Sequence, residues 1–442
     1  LLLVASYAFY LSWNAAFTIL LLATTLLDYA LALQLGKATQ RWKRRLLLAI
    51  SLSCNLGLLV LFKYANFLID VTGSVFDLVG VPFQPSHLDL FVLIGVSFHT
   101  FQTLSYTIDV YRKEIQPVRS WLDFATYVAF FPQLVAGPIV RAKDFLPQFE
   151  RTPRLDATRA GEALFYILRG LGKKILIADY IGRNLVQRVF DDPATFSSAH
   201  VWIAVYAFTW QLYCDFSGYT DIARGSAMLF DFDLPDNFQR PMTATGPIEH
   251  WRRWHMSLSS WFRDYVYIPL GGSRTGPVRT YANVFIVFLL MGIWHGAGWP
   301  FVCFGVWHAL GVVANRAYRD VRGRKRTEPL GWRKAGLVFL QVSFWSLSWP
   351  MFWTQGQTDR MLEMYGRMFA FEGSEVVAPP LVWPVLLGVV IMHYTPARWM
   401  DELRAFAARR PVAVQAAFAI AAAALMTYVS SDTPAPFAYI QF

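Results

Sequence analysis

Residues 251–272, WRRWHMSLSSWFRDYVYIPLGG, followed by residues 291–298, MGIWHGAG, decide the reading of this chain. They set two histidines, His255 and His295, in strongly aromatic, apolar surroundings. An ionisable side chain inside an apolar span is costly unless it faces a cavity or a partner, so each reads as a functional-site residue. At about 100° per residue, Trp251, Trp254, His255, Leu258, Trp261, Phe262 and Tyr265 fall within an arc of roughly 120°, while Arg252, Arg253, Ser259, Ser260, Arg263 and Asp264 share the opposite face. The pattern predicts an amphipathic interfacial helix ended by Pro269 and Gly271-Gly272. His255 lies at the edge of its apolar arc, where it either looks into a cavity or serves as an interfacial aromatic-like residue.

His295 closes the apolar run 284–294 and precedes Gly296-Ala297-Gly298 and Trp299-Pro300. One helix is therefore expected to stop there and another to start near Pro300. A histidine at such a break has room around it. Burial disfavours imidazolium and keeps the ring neutral, able to take a proton from a substrate hydroxyl. The competing role is a core histidine bonded to a carbonyl. His308, about 12 Å along the next helix, reads as a packing residue.

The chain of 442 residues is 55% hydrophobic, with 17 Trp, 20 Tyr and 36 Phe, and only 16% charged, whereas about a quarter of a soluble domain is charged. Its mean hydropathy is positive. These values indicate an all-α integral membrane protein. Apolar runs recur at 17–35, 46–68, 88–110, 201–230, 281–294, 301–313, 336–352, 381–393 and 412–429. A span needs about 20 residues, fewer if re-entrant, and long unbroken runs suit helices rather than a barrel. The chain opens on Leu1, and residues 1–10 read as the tail of a span whose beginning is missing. With no solenoid period, low-complexity tract or soluble module, residues 1–442 read as one membrane domain. Cys54, Cys214 and Cys303 lie in apolar segments without paired spacing, which argues against a disulfide framework and a zinc site; they read as buried small hydrophobes.

The net charge of +10 is unevenly spread, and Lys/Arg in short loops mark the cytoplasmic side. Basic segments at 37–45, 316–334 and 398–410 are expected to face the cytoplasm. The loop at 70–87 carries only acids and is expected outside, as are 354–380 and the tail 430–442. Anionic lipid, not nucleic acid, is the partner such a distribution suits. The apolar run 121–140 is broken at Phe131-Pro132 and Gly137-Pro138 and has basic residues at both ends, so it is better drawn as re-entrant than as a full span.

Ser97, His99, Gln102, Ser105, Tyr106 and Asp109 make a polar stripe that should face a bundle interior. It either lines a tunnel or hydrogen-bonds helix to helix. Asp215 comes after a long apolar stretch and either orients a histidine or holds Arg252 or Arg253. Asp221 and Arg224, spaced i, i+3, are expected to pair. No metal-ligand spacing, phosphate-cradling GxxxxGK[ST] loop or dinucleotide-type GxGxxG occurs, which removes the usual signatures of nucleotide-driven transport and redox chemistry.

These stretches, with GVSFHTFQTLSYTIDVYR (95–112), FPQLVAGPIVR (131–141), YCDFSGY (213–219), LPDNF (234–238) and PFAYIQF (436–442), together resemble the membrane-bound O-acyltransferase (MBOAT) family. The resemblance is closest to its bacterial branch, which O-acetylates alginate and has relatives that acetylate peptidoglycan or D-alanylate teichoic acids. It covers nearly the whole chain. It implies a multi-pass ring of helices, with re-entrant and interfacial helices around a thin central tunnel. The family's invariant histidine maps to His295 and its second polar position to His255.

The implied function is O-acyl transfer in the bacterial inner membrane. The donor is acetyl-CoA on the cytoplasmic side, with no bound cofactor or metal, and the acceptor is a cell-surface polysaccharide hydroxyl. His295 is the expected general base and His255 a relay or positioning group, while Arg252 and Arg253 are expected to hold the phosphates of CoA. A separate extracytoplasmic acyltransferase is the expected partner. The rival is a polysaccharide-export or small-molecule transporter without covalent chemistry, whose mark would be inverted repeats; no such symmetry is visible.

Overall fold

The computed structural model describes the chain apart from residues 14, 84, 91–94, 135–136, 324–328, 374–377 and 430–442. The expected outward tail and the match at 436–442 lie outside the described residues. Among the described residues every regular element is helical. Among the described residues five helices are long and apolar enough to cross a membrane: Ala15–Lys37, Arg41–Leu78, Pro277–His295, Gly331–Trp353 and Val412–Val429. The chain divides into two compact units, Leu1–Pro153 and Arg154–Phe442.

In the first unit, buried polar groups tie three apolar helices together. Asp28 accepts from the Ser51 hydroxyl (2.6 Å) and the Asn55 amide (2.9 Å), and Asn55 Oδ1 accepts from Thr103 (3.3 Å). Such groups are costly in an apolar interior unless bonded to one another. Arg44 caps two helix ends at once, donating to the carbonyls of Leu35 (2.6 Å) and Tyr111 (2.7 Å); a cation suits the negative end of each helix. The segment at 121–140 is broken as its prolines predict, into helices Trp121–Ala129 and Phe131–Leu134. Nine residues rise only about 14 Å, under half of a hydrocarbon core. The expected loop at 70–87 begins later, because helix Ala65–Leu78 continues through its first half.

The second unit contains a long helical rod absent from the hydropathy reading. Helix Ala157–Leu171 continues through π-helical turns Gly172–Asp179 and Gly182–Val186 into Gln187–Asp191. It lies against helix Ser198–Leu229. Glycines allow that contact, since a Cβ on Gly225 would sit 2.5 Å from the Ala163 carbonyl and one on Gly170 would run into the Gly218 carbonyl. Charges between the two rods explain why hydropathy missed the first. Asp221 takes both Arg169 and Lys173, and Lys174 bridges Asp215 and Asp179, each at 2.8 Å. The expected Asp221–Arg224 pair is therefore not made, and Arg224 pairs with Asp236 instead.

Candidate active site

Helix Pro277–His295 opens with proline in its first turn and stops at His295, and the next helix, Trp299–Arg322, starts at the predicted place. The two run so close that a Cβ on Gly292 would lie 2.6 Å from the Gly305 Cα, and one on Gly296 would overlap the Phe301 ring. Backbone cannot yield as a flexible side chain can, so this hairpin needs glycine at its crossing. At its end His295 is buried, with the rings of Trp294, Phe304 and Phe352 centred 5.0, 5.4 and 5.5 Å away. Its Nδ1–H donates to the Met291 carbonyl at 2.7 Å. A carbonyl can only accept, so this bond fixes the tautomer and puts the ring's lone pair on Nε2.

His255 is not in the middle of a continuous helix. The segment is two short helices, Pro247–Trp251 and Met256–Phe262, with a break between them and a π-turn, Arg263–Tyr267, after them. His255 sits at the break with φ 42° and ψ 54°, a left-handed conformation unusual for a residue with a Cβ. The cause is Asn237. Its carbonyl accepts from the Met256 N–H (3.0 Å), and its Oδ1 accepts from the Ser257 N–H (3.1 Å) and hydroxyl (3.0 Å). Gln239 N–H bonds the Arg253 carbonyl at 2.9 Å. These bonds start a new helix after His255 rather than continuing the old one. The apolar arc read from the sequence survives the break: Trp251, Trp254, Leu258, Trp261 and Phe262 are all buried, and Arg252 and Arg263 are exposed.

The break brings the two histidines together. The His255 ring lies 4.7 Å from Phe216 and 6.3 Å from Trp294, the neighbour of His295. His308 is bonded differently. It is fully buried, with rings of Phe304 and Trp345 at 4.4 and 4.7 Å. Its Nε2 faces the Ser348 hydroxyl at 3.2 Å, whose own proton goes to the Trp345 carbonyl. His308 therefore donates through Nε2, which makes it the opposite tautomer from His295.

Arg253 is bonded to Glu249 (2.5 Å) and Thr243 (2.6 Å), and Arg252 is exposed at the end of its helix. Burial pushes the Glu249 carboxyl up, but the Thr245 N–H and hydroxyl together with Arg253 outweigh it and hold the group below its ordinary range. Asp215 holds Lys174 at 2.8 Å. In the polar stripe His99 bonds Thr24 (2.8 Å) and Gln102 bonds the Tyr127 carbonyl (2.8 Å), which favours helix-to-helix bonding there. No group of three or more His, Cys, Asp and Glu among the described residues could hold a metal ion.

Two clefts open in the second unit. One, about 260 Å³, is lined by Lys174, Asp215, Gln211 and the segment Trp353 to Gln357, next to the Phe352 ring that packs on His295. The other, about 330 Å³, is lined by Lys173, Asp221, Asn237, Phe238 and residues between Met392 and Arg404. Phe238 packs on Phe216 (5.0 Å), the ring beside His255. Sequence reasoning found LPDNF as a motif but not the role of its Asn237. A polar residue just before a buried aromatic segment was the available signal.

A multi-pass helical membrane protein with two buried, aromatic-walled histidines between two clefts is the class this unit defines. Residues 5–352 match the model of the membrane-bound O-acyltransferase family, and the chain belongs to that family. It is 39% identical over 381 residues to the probable alginate O-acetylase AlgI of Azotobacter vinelandii, a match spanning 84% of this chain and 72% of that protein. It is 34% identical to the peptidoglycan O-acetyltransferase of Helicobacter pylori over 79% of this chain and 70% of that protein. With the teichoic acid D-alanyltransferase of Streptococcus thermophilus it shares 30% identity over 59% of this chain and 65% of that protein. The chain is an O-acyltransferase.

Proposed function

We propose that this chain moves an acetyl group from cytoplasmic acetyl-CoA towards a cell-surface polysaccharide hydroxyl outside the bacterial inner membrane, with His295 as general base. The observation that carries the reading is the bond from His295 Nδ1–H to the Met291 carbonyl, which leaves the basic nitrogen at Nε2. Nε2 takes the acceptor hydroxyl proton as its oxygen bonds to the thioester carbonyl carbon. The C–S bond then breaks, and the departing thiolate receives the proton from the imidazolium, giving an ester and free CoA. His255 positions or relays across Trp294.

The two clefts support a tunnel. The 260 Å³ cleft is lined by residues from the segment expected outside, and the 330 Å³ cleft by residues from the basic segment expected inside. Acetyl from alginate-type relatives is the acyl group this reading takes. A separate extracytoplasmic acyltransferase completes delivery to polymer, because the described outer segments are short helices and turns with no fold to grip a chain.

The test is purified protein in vesicles carrying labelled acetyl-CoA. Ester formed on an acceptor hydroxyl supports the reading; passage of a solute with no ester formed overturns it. Full-rate polymer acetylation by this chain alone removes the partner. A cysteine at Ser74 that reacts only from the cytoplasmic side reverses the topology.

A further inference from the structure

The larger cleft carries an unusual charge arrangement. Three guanidinium groups surround one ring: the Cζ atoms of Arg169, Arg224 and Arg404 lie 4.7, 4.7 and 5.8 Å from the centre of Tyr166. Lys173 lies 5.8 Å from the ring of Tyr213 in the same cleft. Like charges held this close repel unless anions sit among them. The carboxylates present compensate only in part. Asp221 serves both Arg169 and Lys173, Asp236 serves Arg224, and Asp401 stands 3.5 Å from Arg404. Among the cleft-lining residues five cations face three carboxylates.

Arg240, and the Arg169–Lys173 pair that shares the single carboxylate of Asp221, hold the surplus. Arg240 gives two hydrogen bonds, at 3.0 and 2.8 Å, to one neutral acceptor, the His393 carbonyl, and has no carboxylate partner among the described residues. Its backbone is left-handed, with φ 50°, so the chain holds a strained residue where it presents a guanidinium to the cleft. Arg404 bonds the Tyr166 hydroxyl at 2.7 Å, a neutral partner closer than its carboxylate. Planar forks with donors to spare and two unmatched positive charges suit a doubly charged phosphate ester or diphosphate better than a single carboxylate. At the inner wall of the same cleft the Asn237 amide nitrogen is buried and has no hydrogen-bond partner among the described residues. Its Oδ1 is fixed by the Ser257 N–H, so that nitrogen is a donor waiting for an acceptor. The cleft thus offers cations at one part of its wall and an unused neutral donor beside the His255 turn.

We infer that this cleft binds the phosphate groups of the acyl donor, with Arg240 and Arg404 as the principal contacts, in place of Arg252 and Arg253. The inference rests on the reading of acetyl-CoA as donor. Phosphate chemistry is shared by coenzyme A and by anionic lipid headgroups, and the test separates the two.

Full-length protein in neutral-lipid nanodiscs is assayed with acetyl-CoA and with acetyl-pantetheine, which keeps the thioester and lacks every phosphate. Binding of labelled CoA is measured alongside. Arg240→Gln and Arg404→Gln should each raise KM for acetyl-CoA and weaken CoA binding about 10- to 100-fold, the scale of a lost charge-assisted bond. KM for acetyl-pantetheine should move less than about threefold in the same variants. Arg240→Lys and Arg404→Lys should recover part of the loss, which a misfolded cleft would not. Equal KM shifts for both donors, or unchanged CoA binding, overturns the inference. Unchanged CoA binding together with loss of retained phosphatidylglycerol assigns the cleft to lipid and overturns it as well. Binding of CoA that weakens as expected, with no acetyl transferred from either donor by the unsubstituted protein, leaves the phosphate site standing and removes the acyl-transfer reading instead.

Discussion

His295 and His308 sit on consecutive helices of one hairpin, both buried among aromatic rings, yet they are opposite tautomers. His295 gives its Nδ1–H to a carbonyl of its own last turn and keeps a basic nitrogen on the far side of the ring. His308 gives its Nε2–H to Ser348, whose proton is itself committed to Trp345. Hydropathy cannot tell them apart, and neither can depth of burial. What separates them is where the helix ends: the first has no helical turn after it, and the second has several turns on either side.

The comparison can be broken by substitution, and the largest effect belongs to His295. His295→Ala should lower acyl transfer per folded molecule by about 10²–10⁴-fold, the usual cost of losing a general base, with insertion and monodispersity retained. A near-normal rate would return His295 to packing. His255→Ala should cost less, about 10- to 100-fold, as expected of a group that positions rather than takes the proton. If it costs as much as His295→Ala, the roles of the two must be reversed or shared. His308→Ala should leave the rate per folded molecule within about threefold and lower the melting temperature instead, through a lost buried side chain worth about 1–3 kcal/mol. Loss of rate without loss of stability would dissolve the contrast.

The smallest effect is at Glu249, which supports the turn carrying His255. Its carboxyl titrates below its ordinary value of 4.5. Its contribution is therefore complete above that value and disappears as pH falls through the depressed one. Glu249→Gln should lower the melting temperature slightly at neutral pH, and the gap to the unsubstituted protein should close in acid. A gap that stays constant with pH would show that the charge does not matter there.

Much of this was legible in the residues, for reasons that differ by element. The spans at 17–35, 46–68, 281–294 and 412–429 correspond to helices because their runs are apolar with at most one charged residue each. His295 was placed at a helix end because Gly296-Ala297-Gly298 and Pro300 announce one. The rod from Ala157 to Asp191 escaped because Arg169, Lys173, Lys174 and Asp179 interrupt its apolar run. Those charges are matched by Asp221 and Asp215 on another helix, and a partner so distant in the chain leaves no local trace. The turn at His255 escaped for a related reason. The helical periodicity of 251–265 continues across it, while the groups that break it come from Asn237 and Gln239.

The π-helical turns at Gly172–Asp179 and Gly182–Val186 lend the rod a property that side chains alone do not. A π-turn holds one residue more than an α-turn, so the rod stores spare length in single-residue steps. Lys173 serves Asp221 and the larger cleft, and Lys174 serves Asp215 and the smaller one. Removing Gly172 would tighten the turn and move the residues that follow it within the turn back by one place, which would bring Lys174 to the place of Lys173 and Ile175 to that of Lys174. A deletion too small to alter hydropathy would then take the cation away from Asp215 and the smaller cleft while leaving one at Asp221 and the larger.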